Sequence, residues 1–392
     1  MTTERQRVRR QPRPRAVAIA VVALLALVGV GPAAADDRPL RFVGSVQLDY
    51  LTVPTADPAN PGTLDGSTLE VSLRASRELG EHAEATIKVC FACHGFEAGA
   101  AYVDLRAADE LVVRFGRMTP AFGSFPERHD PANHHTSDKP LVYDMGRMLE
   151  LRAWNEGILP APWVDNGVEV RGTHFVERGR LDYAAYLLSG PKAGADATDF
   201  DFTLSRSPGQ YYTDTNSQPI VGARVAGTIE FDDARDLTVG GSAMAGTYDP
   251  GRDLDFVIAG VDAVARLGAV TLRGEYLVRR TRVAIGDAPA LRWKYGPGPD
   301  GTYADYFVKD GFYLEGEVPV GRVELIARWD GLRRKGNVLV TSPLTSRAAM
   351  YRYTAAAAVR IDPAVRLKGS VELYDLGTSR ELALHLGVAT PF

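Results

Sequence analysis

Cysteine is nearly absent: there are two in 392 residues, Cys90 and Cys93, so no disulfide framework holds the fold. After the first 35 residues no apolar run approaches 18 residues, which excludes a transmembrane helix but not a membrane-spanning sheet. There is no cationic excess, with 45 Lys and Arg against 49 Asp and Glu, and this argues against nucleic acid as a partner. No internal repeat, linker or low-complexity tract divides the chain. No G-x-S-x-G elbow is present, and His174 has no recognisable Ser partner, so the reading is of a protein that is not an enzyme.

The N-terminus is a targeting segment. Six arginines between Arg5 and Arg15 precede an apolar stretch, 16–30, and Ala33-Ala34-Ala35 forms an A-x-A cleavage site. Residues 1–35 therefore read as a signal peptide and 36–392 as one mature domain. Removing the six arginines and Glu4 takes the net charge from −4 to −9.

What fills the mature chain is alternation. About sixteen segments place apolar residues on one face and polar residues on the other, with turn residues between them. They are 41–52, 67–76, 83–91, 98–106, 110–117, 167–176, 180–188, 220–231, 236–248, 254–266, 269–279, 311–318, 322–332, 347–360, 364–374 and 380–390. The 39 Gly and 16 Tyr fit such a β-rich chain. Connections sort by parity. Those at 77–82, 107–109, 177–179, 232–235, 267–268, 319–321 and 361–363 are short. Those at 118–166, 189–219, 280–310 and 333–346 are long. Short connections at 94–97, 249–253 and 375–379 are the exceptions. A soluble sandwich has no reason to sort its loops this way, whereas a barrel has short turns on one side of the membrane and long loops on the other. The expected fold is all-β: a transmembrane antiparallel β-barrel of about 16 strands with a polar lumen.

The last segment ends on Phe392, with Leu382, Leu384, Leu386, Val388 and Thr390 sharing its face. A terminal aromatic on an alternating strand looks like the signal read by the outer-membrane barrel-assembly machinery.

The stretch 110–148 leads from an alternating strand into a polar segment too long for a mere connection. Its run Gly116-Arg117-Met118-Thr119-Pro120-Ala121-Phe122-Gly123 resembles the matching region of bacterial outer-membrane porins. The resemblance is to the phosphate-selective porin family, which carries a Gly-(Arg/Lys)-x-x-x-Pro-Phe-Gly-like run there. It implies an outer-membrane location, contact with membrane lipid, passive diffusion of small hydrophilic solutes or ions with an anion bias, and a homotrimer. It also implies that 118–166 folds inward as a constriction. The pore and constriction candidates are Arg114, Arg117, Glu127, Arg128, His129, Asp130, His134, His135 and Lys139. Basic wall candidates are Arg74, Lys88, Arg114, Arg273, Arg279, Arg328, Arg366 and Lys368. Glu70, Glu84, Glu275, Glu324, Asp330 and Glu372 interleave with them, so phosphate selectivity does not follow from the wall itself. The adjacent histidines and carboxylates of the loop are read as a polar constriction rather than a metal site.

Cys90-Phe91-Ala92-Cys93-His94 has the C-x-x-C-H pattern of covalent c-type haem attachment. A Cys90–Cys93 disulfide or part of a zinc site fits the same residues. With haem, the barrel would be a mono-haem cytochrome-porin moving electrons across the outer membrane, with His129, His134, His135, Met145 or Met148 as second axial ligand. A barrel with a plugged lumen is the third reading.

Overall fold

The computed structural model describes residues 38–52, 66–92, 95–144, 157–194, 199–202, 204, 214–377 and 379–392. The segment 1–35, Cys93, His94, Met145 and Met148 lie outside the described residues.

Sixteen strands close into a barrel. The first half comprises β1 (Arg41–Thr52), β2 (Gly66–Glu78), β3 (Ala83–Ala92), β4 (Gly95–Ala108), β5 (Leu111–Met118), β6 (Asp165–Val176) and β7 (Gly179–Leu188). A two-residue pair follows, β8 (Lys192–Ala193) and β9 (Phe200–Asp201), which the alternation does not reveal because two residues carry no period. The barrel resumes with β10 (Ile220–Asp232), β11 (Arg235–Thr247), β12 (Asp255–Leu267), β13 (Val270–Arg282) and β14 (Tyr306–Val320). It ends with β15 (Val323–Gly336), β16 (Arg347–Asp362), β17 (Val365–Asp375) and β18 (Arg380–Pro391).

Each strand pairs antiparallel with its sequence neighbour, and β7 pairs with β10 across the small hairpin. β18 returns to β1 in the register Ser45↔Pro391 to Thr52↔Leu384, so no edge is left to solvent or lipid. The last rung is made by Phe392. Its N–H donates to Gly44 O at 3.0 Å, and the Gly44 N–H donates to Phe392 O at 2.8 Å. The Phe392 ring lies over Gly44, where an added Cβ would come within 2.5 Å of it.

The barrel is inside-out relative to a soluble protein. Leu48, Phe91, Val225, Ile229, Val261, Leu314, Trp329 and Leu386 are exposed on the outside, whereas Lys88, Arg279, Arg328, Asp330, Arg352, Lys368 and Glu372 are buried within. Outward aromatics stack around β14–β16: Phe312 meets Trp329 edge-on at 4.8 Å, and Trp329 lies parallel to Tyr353 at 6.4 Å. An apolar exterior with a charged interior is stable only where lipid, not water, is outside.

The lumen is not polar throughout, which corrects the sequence expectation. At the long-loop end the interior is an apolar core. Phe122, Phe125, Leu141, Val142, Tyr143, Ile158, Leu159 and Trp163 from the loop after β5 pack there. They meet Leu51, Leu188, Ile220, Met244, Phe256, Ile258, Leu277, Tyr313, Leu332 and Met350 from the wall. Each such side chain contributes about 1.5–3 kcal/mol on burial, so a loop with this many is held inside by the hydrophobic effect.

Candidate functional site

The loop segments 119–144 and 157–164 are fastened across the lumen by polar bonds below that apolar core. Glu275 on β13 is the principal anchor. Its carboxylate accepts from Ser124 N at 3.1 Å, Ser124 Oγ at 2.8 Å, Phe125 N at 2.8 Å, Tyr143 OH at 2.5 Å and Tyr313 OH at 2.7 Å. Burial and the Glu275 carboxylate push the Tyr143 phenol well above its ordinary range, so it remains a donor. Gly123 makes the close approach workable. It has φ +63°, and a Cβ there would sit 2.1 Å from Tyr143 OH and 2.4 Å from Glu275 Oε2. Nearby, Gly123 N donates to Ser242 Oγ at 3.0 Å, and Ala121 N donates to Glu169 Oε2 at 2.9 Å.

The second anchor is on the opposite wall. Arg352 Nη1 donates to Asp138 Oδ2 and Nη2 to Lys139 O, both at 2.5 Å, while Arg328 Nη1 reaches Thr136 Oγ1 at 2.9 Å. Leu141 N donates to Asp330 Oδ1 at 3.0 Å, and Lys368 Nζ donates to Gln47 Oε1 at 2.9 Å and to Pro131 O.

The predicted residues distribute as follows. Arg114 faces the lumen and forms a fork on Asp104, at 2.7 and 2.8 Å, with its guanidinium 3.9 Å over the Tyr102 ring. Arg117 breaks the outward alternation of Phe115 because Gly116 has φ +130°; it is buried, and Nε donates to Ala98 O at 3.0 Å. Glu127 projects into open space 3.3 Å from Arg171, and Arg128 lies 4.0 Å from Glu315 and over Phe125. Lys139 Nζ turns back to Ala161 O at 2.9 Å.

The three histidines do not converge. His129 Nδ1 lies 2.5 Å from Pro126 O and so donates, which leaves Nε2 to accept from Lys88 Nζ at 3.1 Å. Burial and Lys88 lower the His129 pKa to about 4, so the ring is neutral at pH 7. Burial opposes ionisation of Asp130, but the neighbouring His129 and the Lys88 ammonium, 2.5 Å away, hold its carboxyl low. His134 Nδ1 donates to Asp130 O at 3.1 Å, and burial beside Lys368 and Lys139 keeps it neutral. His135 lies against Glu317 at 2.9 Å and Glu324 at 3.3 Å.

The haem pattern meets a poor fit among the described residues. Cys90 is buried on the lumen face of β3, and its Sγ packs so closely on Gly99 that a Cβ there would be 2.9 Å away. The loop histidines that would supply an axial ligand are engaged as just described.

Toward the short turns the lumen opens into two adjoining cavities of about 770 and 700 Å³, which share Arg114, Ala121, Glu127 and Arg171. The first is lined by Asp104, Asp109, Glu110, Asp182, Glu230 and Asp236 with Arg180, Arg224 and Arg266. The second is lined by Arg74 and Lys88 with Asp130 and His129. The arrangement can hold water and small charged solutes in contact with fixed charges of both signs.

Residues missed in the sequence include Arg352, Arg224, Glu169 and His385. Alternation alone marks Arg352, since it shares parity with Met350 and Thr354 rather than with Tyr351 and Tyr353. Nothing in the sequence marks which of the lumen groups the loop will meet.

No family model matches the sequence, and no curated protein matches it. Solved structures do match. The outer membrane channel DcaP of Acinetobacter baumannii aligns at TM-score 0.56 and 9% identity, over 93% of this chain and 100% of that one. Salmonella typhi OmpF, in complex with daunomycin, aligns at 0.56 and 12%, over 92% and 99%. An anion-selective porin from Comamonas acidovorans aligns at 0.54 and 12%, over 91% and 100%. At these identities the likeness is one of fold: the closed sixteen-stranded barrel of outer-membrane porins.

Proposed function

We propose that the protein is an outer-membrane channel for passive diffusion of small hydrophilic solutes and ions, narrowed by the loop 119–164. The carrying observation is that this loop is bonded to the lumen wall on two opposite sides, at Glu275 and at Arg352, above cavities lined by charges. An anion bias is the finer reading. It rests on the cavity lined by Arg74, Lys88, Arg114 and Arg171 against Glu127 and Asp130; the acidic lining of the other cavity works against it. Trimeric assembly follows from the same reading.

The test is conductance in planar bilayers. The wild-type protein should form ion-conducting pores, and shortening 125–139 should raise the single-channel conductance. Reversal potentials in a salt gradient report the sign of selectivity, and light scattering in detergent reports the subunit count. Silence of both forms would refute the channel and favour a plugged structural barrel.

A further inference from the structure

Where the loop meets the last three strands, it brings together donors that a channel does not need. Asp138 comes from the loop, Glu372 from β17 and His385 from β18, and one donor atom of each lies within 4.8 Å of the others. All three residues are buried, and the side chains of Glu372 and His385 are wholly enclosed. The second observation is the state of His385. Neither ring nitrogen has a hydrogen-bond partner, and Nε2 stops 3.5 Å from Glu372 Oε2. A buried polar group left so costs about 1–3 kcal/mol. The charges point the same way. Asp138, Asp330 and Glu372, with Glu315 3.5 Å from Arg328, converge on only two guanidiniums, those of Arg328 and Arg352.

We propose that Asp138, Glu372 and His385 bind a divalent transition-metal ion of the zinc class. An imidazole with two carboxylates is a donor set such ions take, and water supplies the fourth position of a tetrahedron. Zinc–ligand distances of about 2.0–2.2 Å require the donors to draw roughly an ångström closer together. Arg352 becomes the outer partner: it already holds Asp138 Oδ2 at 2.5 Å and stands 3.4 Å from Glu372 Oε2. Glu372 Oε2, 3.5 Å from His385, already accepts from Tyr374 OH at 2.9 Å, so Oε1, 3.5 Å from Ser370 Oγ, would be the oxygen that binds the ion. Such an ion ties the loop to β17 and β18. The site stands or falls independently of whether the barrel conducts.

The experiment uses the mature chain refolded in detergent with Zn²⁺ or with a chelator, then freed of loose metal. Elemental analysis and native mass spectrometry should find one zinc per chain, and zinc should raise the unfolding temperature. His385→Gln and Glu372→Gln should each weaken zinc binding at least about ten-fold, since even outer-partner losses have that effect. Heat-modifiable migration on gels checks that both variants still fold. Absence of stoichiometric zinc in the folded wild type overturns the proposal. So does zinc retained undiminished in both folded variants, which would place it at exposed groups such as His174 and Glu110.

Discussion

Glu275→Gln is the sharpest test of how the loop is held. Five bonds converge on the Glu275 carboxylate, two of them from the loop backbone N–H groups of Ser124 and Phe125. Glutamine keeps one oxygen for Phe125 N, Ser124 Oγ and Tyr313 OH. It turns an NH₂ toward Ser124 N, so a donor faces a donor. Tyr143 OH can rotate to accept; the Ser124 N–H cannot. Bonds to a charged group are worth about 1.5–3 kcal/mol and an orphaned buried donor costs about 1–3 kcal/mol. Weighed together these give about 3 kcal/mol against the docked loop, or roughly a hundred-fold in its equilibrium with the released state. The strand ladder is untouched, so the barrel should fold and migrate as wild type. Protease nicking within the loop and the open time of single channels should both rise. Gly123→Ala should act alike, because the added methyl collides with Tyr143 OH and Glu275 Oε2. A Glu275→Gln protein nicked at the wild-type rate, with wild-type open times, would refute the anchor.

Acid should release the loop. With the His129 value lowered to about 4 when docked and about 6.5 when free, the released state binds more protons between these limits. Docking is at full strength above pH 6.5 and loses up to about 3 kcal/mol as pH falls toward 4, with His134 adding in the same direction. Nicking rates measured from pH 7.5 to 4.5 should climb in wild type and stay flat in a His129/His134→Gln double variant; equal climbs in both would assign the effect elsewhere. Deleting Phe392 removes the rung and the ring contact at Gly44, and replacing it by Asp removes the ring contact; each should lower the folded protein recovered in outer membranes. Undiminished recovery would remove the terminal aromatic from the assembly signal. The mature mass should equal the bare polypeptide from Asp36, as such or less two hydrogens, with no visible haem band. A haem-sized increment lost in Cys93→Ala would overturn the argument from Cys90 packing.

The barrel was legible because its rule is local. In β3 the residues Ala85, Ile87, Val89 and Phe91 turn out and Thr86, Lys88 and Cys90 turn in, and the same period-two rule locates every barrel strand to within a few residues. The strands reach furthest beyond their alternating segments at tops such as 306–310, where Phe307 and Lys309 alternate with Val308 and Asp310 above an already long strand. The inward loop was legible only as length and polarity. His129, His134 and His135 look alike in sequence, yet they part to Lys88, to the Asp130 carbonyl and to Glu317, because a folded loop has no period from which to read direction.

The same limit explains the lumen. A strand position facing inward reads as polar or apolar from its own residue, and Leu51, Ile220, Met244 and Met350 lie on four different strands, β1, β10, β11 and β16, without forming a run. Only closure of the barrel brings them to one level, and only then do Phe122, Phe125, Val142 and Trp163 of the loop find an apolar ring to enter. The charged groups sort by the same closure: those at the loop's height become its anchors, as Glu275, Arg328 and Arg352 do, and those below it line the cavities. Loop docking is therefore a single cooperative event, in which apolar burial draws the segment inward and the buried charges decide where it stops. A variant that cuts one anchor should loosen the other, so Glu275→Gln and Arg352→Gln together should cost less than their separate effects added. Strict additivity in nicking rates would mean that the two ends of the loop are held independently.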